Sequence, residues 1–280
     1  MNKRPNLEGT NPVYKTITVI LLIVVVLFFL FPLYWIISGS FKTDIEINAR
    51  EPVWFPTTPT MEHYQELFEN PAFLWLFNII FISAMAMILT CITASLAGYA
   101  LGKKRFYGQG ILFTIIICAM ALPKQVIVIP LSQMLADMHL RNTLWAVILP
   151  TVGWPFGVFL MKQFSETVPT EILEAARVDG SGELRTFFNV VFPMIKPGIG
   201  ALAIFTFVNT WNDYFLQLVM LVERETWTLP LAIANLQGEM SSNFGLIMAG
   251  AALASVPIII VFIAFQKYFT QGIAMGAVKG

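Results

Sequence analysis

The sequence predicts an all-α, polytopic membrane protein with six transmembrane helices and both termini on one side. Two features of composition and one of charge placement predict it. Hydrophobic residues make up 57% of the 280-residue chain and charged residues 12%, about half the charge of an ordinary soluble domain. The apolar residues fall in runs long enough to cross ~30 Å of hydrocarbon, which takes about 20 residues per helix. Lys and Arg then divide unevenly between the intervening loops. Twelve fall on the side of the termini and five on the other, Lys124 counted with the latter. Cationic loops stay in the cytoplasm, so both termini are expected there.

Residues 1–15 are polar and carry Lys3, Arg4 and Lys15. The apolar run 16–37 lacks a small-residue cleavage site and reads as an uncleaved first span. Residues 38–71 are polar, with Pro52, Pro56, Pro59 and Pro71, and contain a short amphipathic stretch from Met61 to Glu69. The second span covers about 72–101, where Gly98 and Gly102 have the spacing that permits close helix contact. The third covers about 111–130 and the fourth 143–162, the latter broken by Pro150, Gly153 and Pro155. Irregular backbone at membrane depth is tolerated only against protein or a wet cavity, which places span four inside the bundle. Spans five and six cover about 198–221 and 246–266, and 267–280 forms a tail.

The net charge is zero, so no nucleic-acid footprint is present. Cys91 and Cys118 lie in apolar runs and read as small core residues. His63 and His139 are isolated, in the loops, and make no metal constellation. No phosphate-binding Gly-rich loop is found: Gly98 to Gly102-Lys103-Lys104 has the wrong spacing and no hydroxyl. With no paired carboxylates or nucleophile triad either, neither a cofactor nor an enzymatic activity is expected.

The longest polar interruption is 163–197. Pro169 stops a preceding helix, Thr170 has the hydroxyl of an N-cap, and Glu171 suits a helix start. Ile172, Leu173 and Ala176 share a face, and Gly180 supplies a C-cap. A helix of two to three turns is too short to stand alone, so it docks either on its own protein or on a soluble partner. Glu174-Ala175-Ala176, Asp179-Gly180 and then Val190-Val191-Phe192-Pro193 resemble the coupling ("EAA") loop of ABC importer permeases, Val190 and Phe192 standing where that pattern has Ile and Leu. Asp179 and the terminal Lys279-Gly280 resemble the maltose-type, carbohydrate-uptake branch. The resemblance implies a MetI/maltose-permease-like fold and a cytoplasmic helix, with Glu174, Ala175, Ala176, Asp179 and Gly180 as its contact and turn residues, seated on an ATPase subunit. It also implies a second, homologous permease, two cytoplasmic ATPases, an extracytoplasmic solute-binding protein and a sugar substrate. The tail from Gln271 is expected near the ATPases. Without the resemblance, Glu174 reads as a solvated carboxylate and Gly180 as an ordinary cap.

Charges inside spans are costly and mark function more often than structure. Lys124 lies about 20 Å and Asp213 about 22 Å along their helices at ~1.5 Å per residue, depths at which they either pair or face a wet cavity. Each also reads as an interfacial side chain snorkelling outward. Asn209, Trp211, Asn212, Asp213 and Tyr214 cluster in span five. Carboxamides and carboxylates match sugar hydroxyls, yet the same residues serve as interhelical glue and interfacial anchors. A stand-alone secondary transporter is the alternative, and it predicts an internal repeat with matched broken helices that the sequence does not contain.

Overall fold

A computed structural model describes residues 12–239 and 243–277. Every regular element among them is helical. Four helical stretches are long and apolar enough to cross a membrane: Pro12–Gly39, Ala72–Lys103, Trp145–Glu166 and Phe244–Lys267. Two sharply bent pairs raise the number to six if each is one span. The chain divides into two compact units, residues 1–69 with 240–253, and residues 70–239 with 254–280.

In the first unit, α1 (Pro12–Gly39) leads into a proline-rich segment holding α2 (Asp44–Ile47) and α3 (Glu62–Glu69). Glu46 is the knot of that segment. Its carboxylate accepts from the Thr57 hydroxyl, the Thr57 N–H and the Thr43 N–H, and these bonds hold its pKa down to about 2. His63 lies on helix α3 rather than in a loop. It is buried, and its ring nitrogen sits 2.8 Å from the Lys42 carbonyl. The start of α15 (Phe244–Ala277) closes the unit. Asn243 accepts the Leu246 N–H at 2.9 Å as a helix cap and donates to Glu66 at 2.7 Å.

The second unit is built on α4 (Ala72–Lys103), which packs along α8 (Pro155–Glu166), α12 (Lys196–Asn212) and α7 (Trp145–Val152). Small residues set the approach of α4 and α8. A Cβ on Gly98 would lie 2.6 Å from the backbone of Met161 and Lys162. One on Gly102 would meet the Lys162 carbonyl at 3.2 Å, and one on Gly157 would meet Ala94 at 3.1 Å. Helices in lipid gain little from burying apolar surface, so close packing of this kind is what holds them together.

The structure corrects several expectations. The third span over 111–130 is not one helix. α5 (Gln109–Met120) and α6 (Lys124–Asp137) meet at 105°. Pro123 has no N–H and drives the preceding residue out of the helical region, so the chain turns there. The fifth span is interrupted as well, α12 giving way to α13 (Tyr214–Met220) at Asp213. α12 also starts after a bend of 79° from the helical stretch Glu183–Met194. Helical rise cannot be counted through the break before Lys124, so its depth of about 20 Å does not hold; the count to Asp213 runs along unbroken α12. The loop after span five contains a further helix, α14 (Leu229–Glu239). Its apolar run is short, and Pro230 masks it as a turn signal although a proline in the first turn suits a helix. Cys118 is exposed rather than in the core, on a helix, α5, that buries none of its residues. The expected tail is helical to Ala277. Lys279 and Gly280 lie outside the described residues.

Gly98→Ala places a methyl against backbone, where overpacking costs about 1–3 kcal/mol. Gly110, with nothing within 4 Å of its Cβ position, is the control. Thermal unfolding of the purified protein in detergent should show a lowered midpoint for Gly98→Ala and none for Gly110→Ala.

Candidate functional site

Two regions of the second unit carry the predicted site residues. In the first, α8 ends at Glu166 and Val168 is buried. Pro169 then starts α9 (Thr170–Val178) from an extended backbone, φ −60° and ψ 135°. The N-cap is therefore Pro169 rather than Thr170, which is already helical, and no side chain caps the end. Glu171 in the first turn and Arg177 in the last suit the helix dipole. Leu173 is buried and Ala176 half-buried, whereas Ile172, Glu174 and Ala175 are exposed. The inward face is thus narrower than the sequence pattern suggests.

The helix ends in a Schellman motif. The Gly180 N–H donates to Arg177 O at 3.0 Å and the Ser181 N–H to Ala176 O at 2.9 Å. Gly180 has φ +74° with open space around its Cβ position. Conformation, not room, calls for glycine there. Asp179 is the exposed C-cap residue.

What fastens this helix to the body was not legible in the motif. α10 (Glu183–Thr186) begins three residues after Gly180, and the Glu183 carboxylate accepts from Lys104, just past the end of α4. It also accepts from Arg177 on α9 and from the Tyr99 hydroxyl on α4, each at 3.5 Å. Lys104 beside it is the main reason its carboxyl lies below the usual carboxylate range. Below α9, Leu173 joins Tyr99, Met161, Val168, Phe187 and Ile195 in one buried cluster. Toward the outside the loop presents Ile172, Val178 and Leu184, of which Val178 is 87% exposed. Apolar side chains at such positions, interleaved with Glu174 and Asp179, make a surface suited to a partner.

The second region surrounds the two helix breaks. Lys124 Nζ lies 3.0 Å from Asp213 Oδ2. Lys124 opens α6, where the dipole disfavours a cation, and Asp213 opens α13, where its Oδ1 accepts the Leu216 N–H at 3.3 Å. The carboxylate therefore serves both helix starts. The indole of Trp154, 4.8 Å from Nζ, covers another side of the ammonium. Gln217, fully buried, donates to Thr210 O across the break at 2.9 Å and accepts from Thr228 at 2.5 Å.

Next to the pair is a cavity of about 390 Å³, within the range of small-molecule sites, ~300–1,000 Å³. Trp154, Phe156, Phe205 and Phe215 form its aromatic walls; Lys124, Gln125, Asn209 and Asp213 are polar. Of the six residues assigned to a substrate path, Lys124, Asn209 and Asp213 line this cavity and the other three do not. Trp211 is buried, stacked on Phe207 at 5.6 Å. Asn212 donates back to Val208 O at 2.8 Å, and Tyr214 faces outward. Helical periodicity turns Trp211 away from Asn209, the Asn212 amide is tied back to its own helix, and Tyr214 lies past the break, on α13. Trp154, Phe156 and Gln125 were missed because each looks unremarkable beside its neighbours in sequence.

Glu183→Gln should loosen α9 without unfolding the protein. The carboxylate is mostly exposed and its ion pairs are worth little, about 0.2–1 kcal/mol. Amide exchange over residues 170–183 should therefore rise by roughly fivefold at most, read by mass spectrometry. A lowered folded pKa also means that the stabilisation is present above the unfolded carboxylate value and lost as pH falls through the folded one. The wild-type protein should reproduce the mutant's exchange only in acid.

Residues 94–275 match the family described as the binding-protein-dependent transport system inner membrane component. An arabinooligosaccharide transport system permease protein, AraQ, of Halalkalibacterium halodurans is 32% identical over 275 residues, 97% of this chain and 99% of the relative. A melibiose/raffinose/stachyose import permease, MelC, of Bacillus subtilis is 34% identical over 254 residues, covering 89% and 91%. A diacetylchitobiose uptake permease, DasC, of Streptomyces coelicolor is 33% identical over 255 residues, covering 89% and 92%. Among solved structures, a chain of a bacterial ABC transporter that imports the acidic polysaccharide alginate superposes with TM-score 0.81 at 22% identity, over 95% of this chain and all of that one. That likeness shows a shared fold. The chain is a multi-pass inner-membrane protein and belongs to the family of inner-membrane permease components of binding-protein-dependent ABC transporters.

Proposed function

We propose that this chain is one of two homologous but different permease subunits of an ABC importer for a di- or oligosaccharide. Two ATPase subunits bind it from the cytoplasm, and a solute-binding protein delivers sugar from the other side. The observation that carries the reading is the build of α9. It is an exposed helix bearing Glu174 and Ala175 outward, clamped at its base by the Leu173 cluster and by Glu183. A short helix fixed in this way moves with the helices beneath it and can pass on an ATPase movement without chemistry of its own. Glu174 offers the partner a charge-assisted hydrogen bond, and Ala175 lets it approach closely.

The excess of Lys and Arg on the side of 163–197 supports placing α9 and both termini in the cytoplasm. The family match supports the binding protein as a partner. The relatives that carry arabino-oligosaccharides, raffinose-type sugars and diacetylchitobiose support a carbohydrate, and the aromatic and carboxamide lining of the cavity suits one. ATP closure would draw α9 along and open the space between the two permeases outward, and hydrolysis would reset it. Catalysis stays on the ATPases.

Glu174→Lys should abolish uptake in cells and release the ATPase subunits during purification, while the variant still inserts in the membrane at wild-type amounts. Wild-type uptake by this variant would overturn the coupling role.

A further inference from the structure

Resting on that reading, the cavity beside Lys124 and Asp213 also indicates which sugars this subunit accepts. Its lining contains one cation and one anion, and they are paired at 3.0 Å. Of that cation's remaining surface, one side faces the Trp154 ring at 4.8 Å. The Asn209 amide NH2 is held by Phe205 O at 2.8 Å, which leaves its carbonyl as an acceptor. Gln125 and Thr151 add neutral polar groups to the wall. A carboxylated sugar entering this space brings a second negative charge to a lysine whose charge Asp213 already balances. Lys124, 41% exposed, can still offer it a donor, but the excess anion would lie beside a carboxylate that is 17% exposed, and uncompensated charge in such surroundings is expensive. Neutral hydroxyls meet acceptors and amides as they stand, and the aromatic walls suit the C–H faces of a ring.

We infer that the cavity walled by Trp154, Phe156 and Phe205 is a site for a neutral sugar ring, and that the Lys124–Asp213 pair excludes anionic sugars by leaving the site no net charge. Lys124 and Asp213 act here as specificity-determining residues.

The test uses the purified complete transporter without its binding protein, so that the filter measured is the permease's own. Equilibrium dialysis compares galactobiose with digalacturonate, which differ by CH2OH against carboxylate. The neutral disaccharide should bind at millimolar concentration and digalacturonate should not compete. Asp213→Asn leaves Lys124 unpaired and should move the ratio of affinities toward the uronate by roughly tenfold or more. The double variant K124Q/D213N, again without net charge, should restore the neutral preference. Equal binding of both probes to the wild type, binding of neither, or an unmoved ratio in Asp213→Asn would each overturn the inference. Should the single variant fail to fold, the wild-type comparison and the double variant still decide. Sugar binding does not require α9, so loss of ATPase copurification would count against the importer reading alone.

Discussion

The second unit depends on a seam of small residues between α4 and α8. Gly98 and Gly102 on one helix and Gly157 on the other bring backbones together where a Cβ would collide. In lipid this contact cannot be replaced by a larger apolar side chain, because hydrocarbon outside the bundle offers that side chain as good a home. The seam gives α4 and α8 one fixed relation along their length. One end of the pair supplies Thr90, Phe156 and Gly157 to the cavity; the other supplies Tyr99, Met161 and the Lys104 anchor to the loop that carries α9. The cavity and α9 thus lie at two ends of one packed body.

The two broken helices belong to the same design. A helix break in a membrane leaves backbone groups without partners unless side chains take them up. Asp213 and Gln217 do this at the end of α12, through the Leu216 N–H and the Thr210 carbonyl. At α6 the break brings a lysine to a helix start, and the same aspartate neutralises it. Two irregularities that would each be unfavourable alone become a polar corner with no net charge, and the cavity forms against it.

The sequence made the long apolar helices legible because length and polarity alone decide them, as in α1 and α4. The short helix α9 was legible because Pro169, Leu173 and Gly180 stop, dock and turn the chain by local rules. What stayed hidden depends on contacts through space. Nothing in the neighbourhood of Glu183 announces Lys104, 79 positions away. The break at Asp213 has no proline to mark it. Lys124 and Asp213 drew attention as charges inside apolar spans, yet their pairing rests on a 105° turn that a straight-helix count cannot contain. Trp211 and Tyr214 were grouped with Asn209 by adjacency, yet α12 turns Trp211 to another face and Tyr214 lies past the break, on α13.

The central claim is that α9 projects into the cell from the rigid α4–α8 body and meets the ATPase there. It is tested most directly by a single cysteine at Ala175, with Cys91 and Cys118 replaced. In the complete transporter, Ala175→Cys should form a cross-link to an ATPase subunit and resist a membrane-impermeant thiol reagent applied to intact cells. Labelling of that cysteine from outside the cell, with no cross-link to the ATPase, would contradict the account.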